Sequence, residues 1–148
     1  MSSDIYVQAQ MLIRKPVEDV FEAFINPEIT TKFWFTKSTG KLEEGKTITW
    51  EWEMYNVKSD VLVHEIIPNQ LIKTEWGDPA VHADYEFREM EKGTLVIIKS
   101  YGFNQTGEDL LKIINDNTGG FTTVLDGCKA YLEHGIKLNL IEDKFPQK

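Results

Sequence analysis

A single cysteine, Cys128, among 148 residues excludes an intramolecular disulfide, so the fold must be held by packing and hydrogen bonding. It lies on an apolar stripe with nothing in the local sequence to lower its pKa, which makes it a buried, inert thiol suited to a reducing compartment. Basic residues are also scarce: 16 Lys and Arg stand against 24 Asp and Glu, a net charge of −8. They form no cluster, and nucleic-acid affinity depends mostly on clustered cations neutralising phosphate, so no nucleic-acid partner is expected. No apolar run approaches the roughly twenty residues of a membrane span, and no cationic, apolar leader is visible. A cytoplasmic protein without a membrane span is expected. The chain also lacks a nucleophile elbow, a paired-carboxylate motif, a zinc signature and a phosphate-cradling glycine loop. No repeat, linker or low-complexity segment divides it, so residues 1–148 read as a single domain.

The most strongly patterned stretch is Gly119 to Lys137. Phe121, Val124, Leu125, Cys128, Tyr131, Leu132 and Ile136 recur at steps of three and four, with polar residues opposite. This predicts an amphipathic helix roughly 28 Å long, enough to lie along a whole sheet. Gly107 to Asn117 predicts a helical segment before it, with Thr106 as N-cap and Gly119-Gly120 as a kink or interruption.

Between about residues 36 and 103 nearly everything reads as strand. Ile5 to Arg14 predicts a first strand, stopped at Pro16, which opens a short helix carrying Val17, Val20, Phe21, Phe24 and Ile25. Asn26-Pro27 breaks it, and Glu28 to Phe33 predicts a second short helix before Phe33-Trp34-Phe35. Ser38 to Leu42 reads as a short strand. Lys46 to Tyr55 is the clearest one, with Ile48, Trp50, Trp52 and Met54 on one face and Glu51 and Glu53 toward water. Val57 to Ile67 has two mixed faces and no evident orientation. Leu71 to Trp76 closes at Gly77-Asp78-Pro79; Val81, Ala83, Tyr85 and Phe87 alternate with polar residues; and Glu91-Lys92-Gly93 turns the chain into Thr94 to Phe103. The short turns imply antiparallel neighbours.

Six or seven strands spaced by roughly 4.8 Å make a layer about 30 Å wide, against about 10 Å for a helix with its side chains. One long helix covers such a layer only if the sheet curls around it. The runs PVEDVFEAFINPEITTKFWF, VLVHEIIPNQLIKTEW, GTLVIIKSYGF and GGFTTVLDGCKAYLEHG, in that order, resemble the START-like (SRPBCC) superfamily. Within it the resemblance is to the family named for the C-terminal domain of the activator of the heat-shock chaperone ATPase. It spans roughly residues 8 to 136. It implies an α+β helix-grip fold, a curved antiparallel sheet of about six to seven strands wrapped around a long C-terminal helix with two short helices after the first strand. A hydrophobic cavity lies between sheet and helix in that family. Two positions depart from its pattern: Gly120-Phe121 stands where Gly-Trp is usual, and Lys46 where a second glycine often follows Gly45. The smaller Phe121 would leave a roomier cavity mouth.

The candidate ligand-binding residues are therefore Phe33, Trp34, Trp50, Trp52, Trp76, Tyr85, Phe87, Phe121, Leu125 and Cys128, which would line or fill that space. Thr74 and Ser100 are polar candidates beside them, while Lys99 and Tyr101 fall on the alternate face. The three histidines, His64, His82 and His134, are not expected to converge. His82 and Asp84 share a strand face without a third ligand, so no metal and no cofactor are expected. The leading reading is a non-enzymatic module holding a small apolar ligand, lipid-like or aromatic. The alternatives are an interaction protein of the chaperone-ATPase-activator kind, with a protein partner or a homodimer, and a cavity-based cyclase or hydrolase. The eukaryotic activators carry an additional N-terminal domain that this sequence does not show. No acid or base is identifiable for an enzyme.

Overall fold

The computed structural model describes residues 5–77 and 80–146; Asp78 and Pro79 of the expected turn lie outside them. In chain order the elements are β1 (Tyr6–Ile13), α1 (Val17–Ile25), α2 (Pro27–Thr30), β2 (Lys37–Ser38), β3 (Thr47–Trp52), β4 (Val57–Ile67), β5 (Leu71–Trp76), β6 (Val81–Met90), β7 (Gly93–Tyr101), α3 (Gly107–His134) and α4 (Leu140–Lys144). The strands form one curved antiparallel sheet in the order β1-β7-β6-β5-β4-β3-β2, so the first strand pairs with the last. The fold is α+β and helix-grip-like, as the resemblance implied.

Strand register explains how the core is built. Val7, Ser100, Ala83, Thr74 and Val63 stand opposite one another across five strands, and every one of them is buried. The period of two then carries Ile13, Ile72, Tyr85, Phe87 and Ile98 onto the same inner face. Val57 to Ile67 looked mixed because β4 carries a bulge between Val63 and Glu65. Val61 and Val63 face inward before it; after it Ile66 pairs with the buried Ile72, and the alternation has moved by one residue.

Several boundaries differ from the sequence reading. The 28-residue helix α3 runs unbroken through Gly119-Gly120. Each glycine costs a helix about 1 kcal/mol relative to alanine, which the packing on both flanks outweighs. A Cβ at Gly119 would meet only the end of the flexible Lys144 side chain, 3.0 Å away at Nζ, so packing against α4 does not demand glycine there. The helix ends at His134 rather than Lys137, because Gly135 takes a left-handed conformation at φ 67° and caps it. Ile136 consequently leaves the stripe and is half exposed. Thr106 precedes α3 without a side-chain capping bond. The expected strand at Ser38 to Leu42 shrinks to Lys37–Ser38. The strand expected to reach Tyr55 stops at Trp52, and Glu53–Tyr55 forms a 3₁₀ turn closed by Asn56 at φ 53°. The sequence reading did not anticipate α4.

Polar contacts fasten the C-terminal half of α3 to the end of β1. Lys129 Nζ donates to the Leu12 carbonyl at 2.8 Å and to Glu133 Oε2 at 2.7 Å, and the Arg14 N–H donates to the same carboxylate oxygen at 2.8 Å. Burial by itself would push the Glu133 carboxyl up, but the Arg14 N–H and the Lys129 ammonium together hold it below the usual carboxylate range. A carboxyl depressed in the folded state contributes stability above its unfolded pKa, and that contribution disappears as pH falls through the folded value. Glu133→Gln should therefore cost about 1–2 kcal/mol near neutrality. In urea unfolding the difference between the two proteins should begin to narrow as pH falls past the ordinary Glu value of about 4.3 and vanish only below the depressed folded value.

Candidate functional site

The space between sheet and helix is largely occupied by rings. Trp50 stacks on Phe35 with centroids 4.5 Å apart and planes at 16°, and Trp34 lies 4.8 Å from Trp50. Trp76 meets Trp50 at 5.8 Å and Trp34 at 6.1 Å, both edge to face, and Phe121 stands 6.4 Å from each of Trp34 and Trp76. Such offset and T-shaped contacts let ring edges meet ring faces, the favourable electrostatic arrangement. In place of a wide hollow, the rings leave a cleft of about 130 Å³ walled by Trp34, Trp76, Asn117, Gly120, Phe121, Val124 and Ile141.

The cleft thus gathers Trp34, Trp76 and Phe121 from the expected residues. Trp50, Tyr85, Phe87, Leu125 and Cys128 sit behind it in solid core. Phe33 packs against the bare backbone of Gly127, where a Cβ would come within 3.1 Å of its own Cβ. Trp52 is half-buried at the edge of the cluster, 6.2 Å from Phe35. Four wall residues were not among the candidates: Asn117, Gly120, Val124 and Ile141. Asn117 ends the expected helical segment, Gly120 belongs to the pair taken as a break, Val124 was read only as part of the helical stripe, and Ile141 arrives on α4. The Tyr55 hydroxyl lies 2.9 Å from both the Ile141 and the Phe145 carbonyl oxygens and secures that helix by sharing its one proton between them. A wider depression of about 350 Å³ lies between the β1–α1 corner and the β6–β7 turn, but Arg14, Glu89, Glu91 and Lys92 border it and it has no aromatic wall.

Two polar atoms in the aromatic cluster are buried without a hydrogen-bond partner, Trp76 Nε1 and Tyr85 Oη. Burial pushes the Tyr85 phenol well above its ordinary range, and the neighbouring Thr74 hydroxyl opposes this only in part. Thr74 donates to the Ala83 carbonyl at 2.9 Å and Ser100 to the His82 carbonyl at 2.8 Å, so both candidate hydroxyls are engaged by backbone. Burial likewise pushes the Cys128 thiol up, so it stays protonated. On the outer face, the Tyr101 hydroxyl donates to Asp84 at 3.1 Å, and the Lys99 ammonium lies 4.8 Å from the centre of the Tyr6 ring. None of the cleft's seven wall residues carries an ionisable side chain.

The histidines require a correction. His64 and His82 do converge, with Glu75 between them on the outer face, and one ligand atom from each lies within 4.8 Å of the others. Counting along the chain could not reveal this, because His64 occupies the bulge. His134, at the end of α3, stays apart.

A seven-stranded antiparallel sheet bent over one C-terminal helix, with short helices after the first strand and an aromatic cleft between the layers, defines a helix-grip protein of the START-like superfamily. Residues 14–133 match the model of the family described as Activator of Hsp90 ATPase homolog 1-like protein, and the chain belongs to that family. Among solved structures, protein SSP2350 from Staphylococcus saprophyticus is 34% identical, with a TM-score of 0.81 over 90% of this chain and 96% of that one. Protein MLL2253 from Mesorhizobium loti shares the fold at 17% identity, with a TM-score of 0.77 over 89% and 99%. The Aha1 dimer from Colwellia psychrerythraea does so at 17% identity, with a TM-score of 0.75 over 88% and 98%. None of the curated proteins matches the chain. Among the described residues no helix is long and apolar enough to cross a membrane.

Proposed function

We propose that the domain binds a small apolar molecule of single-ring size in the cleft formed by Trp34, Trp76, Phe121 and Val124. The observation that carries this reading is an apolar, aromatic-walled cleft beside an indole N–H that is buried without a partner. Size sets the ligand class. Drug-sized ligands need about 300 Å³ or more, whereas an apolar cavity of about 150 Å³ holds benzene. At about 130 Å³ the cleft suits one ring or a short branched chain and is too small to bury a long acyl chain. A guest carrying one acceptor atom would also satisfy Trp76 Nε1 once that ring turns toward it, relieving a burial cost of about 1–3 kcal/mol. Walls without an acid or base favour holding over catalysis.

Gly120 supplies the test. A Cβ built there meets nothing within 4 Å, so a larger side chain can occupy the cleft without displacing the core. Phenol at millimolar concentration should shift the Trp76 indole N–H resonance in the wild type. Gly120→Leu should abolish that shift while leaving the protein as stable or about 0.5–1 kcal/mol more so. An unmoved indole resonance, or a Gly120→Leu protein that responds like wild type, would remove the basis for the reading. Hexadecanoate should not compete.

Membership in an activator-type family favours a second reading, contact with a chaperone ATPase, and the Colwellia relative forms a dimer. Stimulation of an Hsp90-class ATPase by the purified protein would support it, and an unchanged turnover rate would count against it.

A further inference from the structure

The outer face of the sheet, opposite the cleft, carries a second constellation. Glu75 on β5 and His82 on β6 are directly opposed partners in the ladder, so their side chains leave the same face about 5 Å apart. His64 comes from the neighbouring strand β4. There the bulge between Val63 and Glu65 leaves it without a partner in the register and brings its Nε2 to 2.8 Å from Glu75 Oε1. We propose that His64, Glu75 and His82 bind a divalent transition-metal ion of borderline softness, zinc fitting best.

Geometry and chemistry support this independently of the cleft. Two imidazoles and one carboxylate form a nitrogen and oxygen donor set that suits zinc, cobalt, nickel or copper and is poor for magnesium and calcium. With metal–ligand bonds of roughly 2.0–2.1 Å, tetrahedral donors stand about 3.3 Å apart. The present donors lie within 4.8 Å of one another, a contraction that rotation of surface side chains can supply. His64 is exposed, and Glu75 and His82 are half-buried. The His82 ring is already oriented. It stacks on Tyr101 with centroids 5.1 Å apart and planes at 14°, and its backbone carbonyl accepts from Ser100. Gly102 keeps space for the imidazole, since a Cβ there would stand 3.2 Å from His82 Cδ2. Asp84, two residues from His82 on the same face, is engaged by Tyr101 and by Lys73 at 3.4 Å and so does not compete as a fourth donor. Three protein ligands leave a coordination position for water or a small anion.

The experiment is titration of the tag-free full chain with zinc chloride by calorimetry, and with cobalt chloride followed by visible absorption. One ion per chain should bind, and cobalt should show the intense d–d bands of a four-coordinate site. His64→Ala, Glu75→Gln and His82→Ala should each weaken zinc at least about tenfold, whereas His134→Ala should bind as wild type does. Circular dichroism of each variant separates lost ligation from lost folding; these side chains lie outside the core, so all should remain folded. The wild-type melting temperature should also rise with zinc, since an ion that binds only the folded state stabilises it. If wild type bound zinc no more tightly than a His64→Ala/His82→Ala double variant, or if equimolar magnesium displaced zinc, the trio would be an ordinary surface hydrogen-bonded pair with a neighbouring imidazole.

Discussion

Trp50→Ala is expected to destabilise the protein by about 3–5 kcal/mol, the full cost of removing a ring packed on all sides. Trp50 is only 2% exposed and is not part of the cleft wall. Phe35 covers one of its faces, and Trp34 and Trp76 pack around it. A ring bordering a hollow has already forfeited contacts on one side, so its truncation costs less. Chemical unfolding therefore tests whether this part of the interior is solid. A loss below about 2 kcal/mol would place a void beside Trp50. Because such a loss is a large share of a typical domain's stability, Trp50→Phe serves as the milder companion and should cost an intermediate amount.

Gly93→Ala is expected to cost on the order of 3 kcal/mol, combining overpacking of about 1–3 with the strain of a backbone conformation that side chains avoid. Gly93 sits at φ 153° where β6 turns into β7, pairing with Met90 across the hairpin. A Cβ there would run into the Ile13 carbonyl oxygen and stand 2.8 Å from Arg14 Cα. Both obstacles are backbone, so no side-chain rotation relieves them. The β6–β7 turn would have to lift away from the end of β1, where the Thr94 hydroxyl donates to the Lys15 carbonyl at 3.0 Å. Thermal and urea unfolding measure the loss. Gly45→Ala is a useful comparison: Gly45 also has positive φ, at 83°, but a Cβ there meets nothing. It should cost only the conformational part, about 1–2 kcal/mol. Equal losses in the two variants would show that the contact with β1 adds nothing.

The architecture was legible where periodicity ran undisturbed. Val81, Ala83, Tyr85 and Phe87 alternate on β6, and Phe121, Val124, Leu125 and Cys128 recur along α3; all but the half-buried Val81 are buried. Reading failed where one local event broke the period. The bulge in β4 moved its pattern by one residue, which concealed both the orientation of the strand and the destination of His64. The Gly119-Gly120 pair signalled a break because glycine disfavours helix, yet tertiary packing carries α3 through it. Trp52 and Met54 continued the alternation of β3 on paper, but the chain leaves the sheet into the 3₁₀ turn after Trp52.

Composition and patterning alone determined the class of this molecule: an acidic chain with one thiol, whose broad antiparallel layer must bend around one long helix. Those features arise from side-chain chemistry and local period, which a linear string records. Only the tertiary structure decided how much space the bend leaves. Ring volumes and angles can fill a hollow or leave a cleft without changing the hydrophobic pattern, and here Phe35, Trp50 and Tyr85 fill it while Trp34, Trp76 and Phe121 border what remains. The meeting of His64, Glu75 and His82 was likewise decided in three dimensions, because it depends on register across three strands and on one extra residue in β4.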